Sequence, residues 1–205
     1  MRVINCEQGS DEWRVRRAGN ATASEFSSIL AKGQGKMRAS YLRRIVAERL
    51  TGVPAETYKN GNMERGHELE PLARAAYEVS QDVMVDTVGL ILHDTLMVGA
   101  SPDGLVGKGG VEIKSVLPTT QVETLMGGHV PTEHIPQVQG NIWIAETDWW
   151  DFVSYCPEMP NHLQLFVVRV NRDEKYIATL KAEIERFLED VESTLEILGR
   201  VAVTA

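Results

Sequence analysis

The sequence predicts an α/β fold, in which one central mixed β-sheet of about five strands is flanked by helices on both sides. Short apolar runs bounded by turn residues occupy the middle of the chain, between residues 87 and 170. Segments with helical spacing of apolar residues precede and follow those runs. The length of 205 residues accommodates one domain with a full core, so we expect residues 1–205 to form a single domain.

The N-terminal part of the chain has the residue spacing of four helices. Ser10 is a candidate N-cap for the first helix, and Gly52 is a stop signal for the third. Thr22 with Glu25 three residues later forms a capping-box pattern that begins the second helix, where free backbone N–H groups favour a phosphate. The four predicted helices cover residues 11–18, 22–31, 40–50 and 62–80.

Three short strands follow and predict a meander. Their sequences are TVGLIL, LMVGAS and VEIKSV. A glycine-rich turn separates the second strand from the third, and its glycines can supply the positive φ angles that bring two strands back together. The turn glycines are Gly104, Gly107, Gly109 and Gly110. This hairpin would set Asp103 beside the third strand.

The C-terminal part of the chain alternates helices with two further strands. Residues 119–129 lack periodicity and predict a mobile connection, and His129 lacks the spacing to a second ligand that a zinc site needs. Helices are predicted over residues 133–146 and 173–198. Between them lie DFVSYC and LQLFVVRV, and the second of these is nearly continuously apolar, as in a strand buried on both faces.

Charged side chains converge on the third strand of the predicted meander. In an extended strand Glu112 and Lys114 face the same way, and the turn brings Asp103 beside them. Two carboxylates and an ammonium suit metal-assisted phosphodiester hydrolysis, because Mg²⁺ prefers oxygen ligands and a lysine can hold the attacking water. The alternative is a surface hairpin with a cross-strand ion pair. Against it, two carboxylates about 4 Å apart repel by roughly 4 kcal/mol at an effective dielectric near 20.

The SPD sequence at 101–103, followed by EIK at 112–114, resembles the PD-(D/E)xK nuclease motif. Three further segments, WRVRRAGNATASE, RGHELE and HIPQVQ, resemble motifs of its lambda-exonuclease branch, the YqaJ-type viral recombinases. The resemblance implies a restriction-endonuclease-like core. It also implies a Mg²⁺-dependent 5′→3′ exonuclease that acts on double-stranded DNA, releases 5′-mononucleotides and leaves 3′ overhangs for recombination by strand annealing.

The resemblance assigns a metal centre to residues of two motifs. Asp103, Glu112 and the carbonyl of Ile113 are expected to hold one Mg²⁺, and Glu70 is expected to join Asp103 at a second ion. Lys114 is expected to orient the attacking water. Mn²⁺ is a possible substitute for Mg²⁺.

The resemblance also assigns residues that contact DNA. Arg17 and Ser24 are expected to bind the 5′-phosphate, with Ser101 beside the DNA, and Gln137 is expected to point into the active cleft. The family often carries an aromatic hydroxyl three residues before that glutamine, and this chain has His134 there. The basic loop from Lys32 to Arg38 either touches the DNA backbone or only connects two helices.

The expected partners follow from the same resemblance. They are linear double-stranded DNA, a single-strand annealing protein and two further copies of the chain in a homotrimeric ring. Two other functions stay open: a site- or structure-specific endonuclease of the same superfamily, and a non-catalytic module that binds DNA ends. A closed circular DNA substrate distinguishes the endonuclease from an exonuclease, because an exonuclease that needs DNA ends leaves the circle intact.

Composition and charge narrow the class of protein. The net charge of −8 argues against a protein that coats nucleic acid with its whole surface, but residues 1–50 hold ten Lys and Arg against five Asp and Glu. This asymmetry indicates a DNA-contacting face confined to one side. We expect a cytoplasmic protein, because no apolar leader or membrane-length run is present. With two cysteines the chain cannot form a four-cysteine cluster. The sequence has no phosphate-loop motif, so we expect no nucleotide cofactor.

Overall fold

A computed structural model describes residues 1–31, 35–55 and 61–201 of the chain. Its strands are β1 (Arg2–Ile4), β2 (Ala21–Thr22), β3 (Leu90–Leu92), β4 (Val98–Ala100), β5 (Gly104–Val106), β6 (Gly109–Ser115), β7 (Trp149–Tyr155) and β8 (Leu165–Asn171). Its helices are α1 (Asp11–Arg17), α2 (Phe26–Leu30), α3 (Lys36–Thr51), α4 (Gly61–Gln81), α5 (Pro118–Gly127), α6 (Ile135–Ala145) and α7 (Glu174–Val201). Within these ranges every helix is too short or too polar to cross a lipid bilayer.

The strands form two four-stranded mixed sheets, where the sequence predicts one sheet of about five strands. The small sheet has the order β1-β3-β4-β2, and the main sheet has the order β5-β6-β7-β8. In the main sheet β6 and β7 are parallel, and both outer pairs are antiparallel. The α/β fold class is confirmed, with strands of mixed direction and helices on both faces of the main sheet.

The main sheet lies between α4 on one face and α6 with α7 on the other. Trp150 and Phe152 of β7 belong to the large core that α6 and α7 close, whereas Val153 and Tyr155 belong to a smaller core against α4. In the main sheet β7 is therefore the most buried strand, with partial exposure at Trp149 alone. The prediction that LQLFVVRV is buried on both faces is wrong, because β8 is an edge strand with only one neighbour and its residues keep partial exposure.

The first hairpin of the predicted meander is present, because β3 and β4 pair antiparallel, but the predicted pairing of the second and third strands is wrong. The catalytic-motif strand β6 forms its hairpin with the short strand β5, while β4 belongs to the small sheet. Of the four turn glycines only Gly107 has a positive φ, of +56°, in the two-residue loop of this hairpin. Gly110 serves another purpose: a Cβ there would lie 2.4 Å from the ring of Trp150 on β7, so glycine lets the two strands pack.

The predicted mobile connection at 119–129 is wrong, because residues 118–127 form helix α5. Pro118 begins the helix, and Gly128 ends it in the left-handed conformation. Its buried positions are polar, Gln121 and Thr124, so the apolar period that reveals a helix is absent. Gln121 is satisfied inside the protein, since its carbonyl oxygen accepts a hydrogen bond from Ser154 at 2.6 Å.

The predicted capping box is also wrong. Thr22 ends β2, and its side chain makes no cap bond to the 3₁₀ turn Ala23–Glu25 that follows. The Thr22 hydroxyl accepts from Arg17 at 2.8 Å, and the Glu25 carboxylate pairs with Arg44 at 2.7 Å. Both side chains are therefore committed to tertiary contacts, which compete with local capping.

The other predicted helix signals are confirmed. The Ser10 hydroxyl accepts a hydrogen bond from the Trp13 N–H at 3.2 Å, and Gly52 ends α3 with φ of +67°. Residues 32–34 of the predicted basic loop lie outside the described residues. Lys36 and Arg38 belong to α3, and Arg38 pairs with Asp190 of α7 at 2.6 Å.

Candidate active site

Strand β6 presents Glu112 and Lys114 on the face of the main sheet that α6 covers. Glu112 is only 2% exposed, and Lys114 Nζ donates a hydrogen bond to Glu112 Oε1 at 2.6 Å. Val111 and Ile113 point the other way and pack in the core against α4. The alternation of side chains along an extended strand thus sets the two charged groups side by side.

Helix α6 supplies two amides that hold the buried carboxylate. Gln137 Nε2 donates to Glu112 Oε1 at 2.6 Å, and Lys114 Nζ donates to Gln137 Oε1 at 3.2 Å. Asn141 Nδ2 donates to Glu112 Oε2 at 3.0 Å. Sequence reasoning missed Asn141, although it lies one helical turn after Gln137 and therefore on the same face. Three donors satisfy a carboxylate that is costly to bury alone.

Asp103 lies just before β5 and joins this cluster through the backbone of β6. Its Oδ2 accepts a hydrogen bond from the Ile113 N–H at 2.5 Å. Burial raises the pKa of Asp103 well above its usual value, and the charge of Glu112 raises it further. Lys114 opposes this increase in the pKa of Asp103, while Glu70 adds to it. Four charged groups from three segments of the chain therefore act on one another.

The ammonium of Lys114 stays protonated in this setting. Burial alone would lower the pKa of Lys114, but the charges of Glu112 and Asp103 outweigh burial and raise it. The pKa of His134 is lowered, mainly because the imidazole is buried and also because the Lys114 ammonium is close to it. The His134 ring stacks on Phe152 with a centroid distance of 5.3 Å, so it lies beside the cluster as a neutral group at neutral pH.

The oxygens of Asp103, Glu112 and the Ile113 carbonyl suit a hard divalent cation in chemical type, although they do not form a complete coordination shell. In the part of the chain that the structure describes, no three His, Cys, Asp or Glu side chains lie in metal-holding geometry. Glu70, on α4, forms an ion pair with Arg74 instead. Carboxylate and carbonyl oxygens are the ligands that Mg²⁺ prefers. A cation would also relieve the crowding of negative charge that raises the pKa of Asp103.

A second cluster brings the residues assigned to the 5′-phosphate together. Arg17 Nη2 donates to Ser24 Oγ at 2.9 Å, and the guanidinium lies 5.0 Å from the centroid of the Trp13 ring. Trp13 Nε1 in turn donates to Ser101 Oγ at 3.0 Å. Ser101 directly precedes the Pro102-Asp103 segment. Trp13 therefore links the N-terminal motif to the residues of the carboxylate cluster.

The guanidinium of Arg17 has a donor that no described residue satisfies. Its side chain is half-buried, and burial is the main reason why the pKa of its guanidinium is lowered. Its Nε is buried and has no hydrogen-bond partner within the described ranges. Such a group is costly unless something else satisfies it, and a phosphate oxygen is a suitable acceptor.

Replacement of Asn141 tests whether Glu112 depends on the amides of α6. Asn141→Ala removes the donor to Glu112 Oε2 and leaves that buried oxygen unsatisfied. We expect the free energy of unfolding, measured in urea, to fall by about 1.5–3 kcal/mol. The exposed Asn171 on β8 provides the control, and Asn171→Ala should change stability by less than about 0.5 kcal/mol. Equal stability of the two variants would contradict the account of Glu112.

The raised pKa of Asp103 predicts that this carboxylate weakens the metal-free fold. A group whose pKa is higher in the folded than in the unfolded state contributes stability that is fully present below its unfolded-state pKa. This contribution is lost as the pH rises through the folded-state pKa. Asp103→Asn removes this penalty and keeps an oxygen that can accept from the Ile113 N–H. With a chelator present, we expect the thermal midpoint of the variant to exceed that of wild type at pH 8.

The difference in thermal midpoint should shrink as the pH falls towards about 3, below the unperturbed Asp pKa of about 3.9, where the carboxyl group is mostly protonated in both states. Asp148→Asn, at an exposed position, should show no such pH-dependent gain. A variant that is less stable than wild type at pH 8 would show that the carboxylate of Asp103 supports the metal-free fold.

Comparisons with known proteins find a family model and a relative that match this chain. The family model of the YqaJ-like viral recombinase domain matches residues 12–148, which is more than half of the chain. A stretch of 72 residues is 31% identical to ExoD of Escherichia coli (strain K12) and covers 35% of this chain and 82% of that protein.

Solved structures of exonucleases have the same fold. LHK-Exo in complex with dAMP matches with a TM-score of 0.90 at 38% identity, over 95% of this chain and 99% of that chain. The alkaline exonuclease LHK-Exo from Laribacter hongkongensis matches again with a TM-score of 0.89 at 38% identity and the same coverage. A phage-related exonuclease from Haemophilus somnus 129PT matches with a TM-score of 0.67 over 87% of this chain and 96% of that chain. At 14% identity the last similarity concerns the fold alone.

Proposed function

Since the chain belongs to the YqaJ-like viral recombinase domain family and is a DNA exonuclease, we propose that it digests linear duplex DNA from the 5′ end with Mg²⁺ as cofactor. It releases 5′-mononucleotides and leaves a 3′ single-stranded overhang. The observation that carries this proposal is the link through Trp13 between the Arg17 and Ser24 cluster and the segment that bears Asp103. This link would set a site for the terminal phosphate next to a site for hydrolysis.

In this mechanism carboxylates would bind the cation and Lys114 would orient the attacking water. Asp103, Glu112 and the Ile113 carbonyl would hold one Mg²⁺, and Glu70, which pairs with Arg74 in this structure, would serve with Asp103 at a second. When bound, the ions supply Lewis acidity and lower the pKa of a bound water. Lys114 would orient the attacking water and offset the negative charge that builds on the phosphate.

The side-chain amides of Gln137 and Asn141 hold Glu112 and Lys114 in position. Gln137 bridges Glu112 and Lys114, so it fixes the ammonium beside the carboxylate. Asn141 holds the other carboxylate oxygen of Glu112. Such preorganised polar groups reduce the reorganisation that the transition state would otherwise require.

The terminal phosphate sets the position of the cut. Arg17 and Ser24 bind the 5′-phosphate through charge-assisted and hydroxyl hydrogen bonds, and Ser101 lies between this pocket and the carboxylates. Hydrolysis one phosphate further along the strand releases one nucleotide at a time. The relative LHK-Exo has been solved with dAMP, a deoxynucleoside monophosphate of the product class proposed here.

The proposed biological setting is phage-type recombination by strand annealing. The 3′ overhang is passed to a single-strand annealing protein, and the chain assembles as a homotrimeric ring around the DNA. Residues 1–205 act as one exonuclease domain in the cytoplasm. The viral recombinase domain family to which the chain belongs supports the proposed role in recombination.

Digestion of one plasmid in two forms tests the proposed end-dependent reaction. Linearised plasmid should release acid-soluble nucleotides with Mg²⁺, and a chelator should stop the release. The closed circular form should stay intact under the same conditions. Nicking of the circle would identify an endonuclease, and failure to cleave either form would remove the catalytic proposal.

A further inference from the structure

Helix α4 is continuous but contains a proline directly after Glu70, and it therefore lacks one backbone hydrogen bond beside that carboxylate. Glu70 lies in the middle of this 21-residue helix and is followed by Pro71. Proline has no N–H, so the His67 carbonyl cannot receive the usual helical hydrogen bond at this point. The two halves of α4 are therefore less firmly joined beside Glu70 than elsewhere.

The first half of α4 is fastened to the end of strand β6. Arg65 Nη1 donates to the Val116 carbonyl at 3.1 Å, just after the catalytic-motif strand ends. Its Nη2 donates to both carboxylate oxygens of Glu158, each at 2.8 Å. This pair lowers the pKa of Glu158 to about 2, so the contact persists across the working pH range.

The second half of α4 is fastened to strand β7 by a buried hydrogen bond. Tyr77 is fully buried, and its hydroxyl donates to Asp151 Oδ2 at 2.8 Å. Asp151 is 1% exposed and also accepts two hydrogen bonds from Arg169, both at 2.8 Å. The Arg169 guanidinium stacks 3.5 Å from the centroid of Trp149. Tyr77 thus meets an acceptor that two other residues hold in place.

We infer that Arg65 and Tyr77 are positioning residues that hold the Glu70 segment of α4 at the metal-binding face, on either side of the hydrogen bond that Pro71 removes. They lie five residues before and seven residues after Glu70, so each half of α4 has one polar anchor on the main sheet. Glu70 also has a competing partner in Arg74. Arg74 therefore competes with the metal-binding face for Glu70 already in this structure, and loss of either anchor would let its half of the helix turn and shift that competition further towards Arg74.

This inference rests on the proposed role of Glu70 as a metal ligand, and it predicts a specific change in metal affinity. Tyr77→Phe removes one hydroxyl and keeps the ring in the core. The half-saturating Mg²⁺ concentration for nucleotide release should rise about fivefold to tenfold, with activity at saturating Mg²⁺ within about twofold of wild type. The dissociation constant for Mn²⁺, measured by calorimetry without DNA, should rise by the same factor.

Two further variants separate positioning from a general loss of structure. Pro71→Ala restores the missing helical hydrogen bond, so in combination with Tyr77→Phe it should recover at least half of the lost Mn²⁺ affinity. Arg65→Gln, at a half-buried position, should weaken Mn²⁺ binding in the same direction as Tyr77→Phe. Tyr176→Phe on α7 is the control and should leave Mn²⁺ affinity unchanged.

Unchanged Mn²⁺ affinity in both Tyr77→Phe and Arg65→Gln would overturn the inference. An equal loss of activity at every Mg²⁺ concentration, without change in Mn²⁺ affinity, would overturn it as well, because it would reflect a structural role alone. If wild type binds Mn²⁺ but releases no nucleotide, the proposed function fails while the calorimetric comparison still decides the positioning role.

Discussion

Lys114→Ala is expected to lower the rate of nucleotide release from linear duplex DNA by about a thousandfold, within the range for loss of a proton-handling or charge-stabilising group. The ammonium contacts Glu112 and Gln137, and the charges around it keep its pKa raised. The fold should survive the substitution, since Gln137 and Asn141 still satisfy Glu112. The measurement is the initial rate at saturating Mg²⁺, together with the thermal midpoint.

The same hairpin offers a matched control for Lys114. Lys108 lies exposed in the turn between β5 and β6, and Lys108→Ala should keep the wild-type rate. Asp103→Ala should lose activity to a similar degree as Lys114→Ala. Wild-type rates in either Lys114→Ala or Asp103→Ala would show that the hydrolytic centre lies elsewhere.

Arg17→Ala is expected to reduce the preference for phosphorylated over hydroxyl 5′ ends by about tenfold or more. Loss of a hydrogen bond to a charged group costs about 1.5–3 kcal/mol, and about 1.4 kcal/mol corresponds to a factor of ten. The guanidinium is the one positive group of its cluster with Ser24 and Trp13. The measurement is the ratio of initial rates on two duplexes that differ only in the terminal phosphate.

Arg16→Ala provides the comparison for Arg17→Ala. Arg16 is on the same helix but is exposed, and its ion pair with Glu12 is long, at 3.7 Å. Its removal should slow both substrates alike through the general attraction between cations and DNA. If Arg17→Ala also slows both substrates alike, its guanidinium binds the DNA backbone without recognising the end.

The arrangement of Glu112 and Lys114 could be predicted from sequence because it depends on local geometry. Alternation along an extended strand is fixed by the backbone, whatever the strand pairs with. The strand pairing itself could not be predicted. The glycines between Asp103 and Glu112 fit a turn equally well at several positions, and the close approach of Gly110 to Trp150 becomes visible only when β7 is in place.

The partners of the buried groups were missed for a related reason. Asn141 contacts Glu112 from a helix that lies 29 residues further along the chain, and Tyr77 reaches Asp151 across 74 residues. Neither contact has a local pattern. Helix α5 was missed because its buried residues are polar, so an apolar period could not reveal it.

The measurement that tests the central claim most directly is the order in which end labels are lost from one linear duplex. One strand carries a label at its 5′ end in one sample and at its 3′ end in another, and both are digested with Mg²⁺. We predict that the 5′ label appears early as a mononucleotide while the 3′ label stays in long DNA. Early release of the 3′ label, or release of the 5′ label in longer fragments, would contradict digestion from a phosphate pocket at the 5′ end.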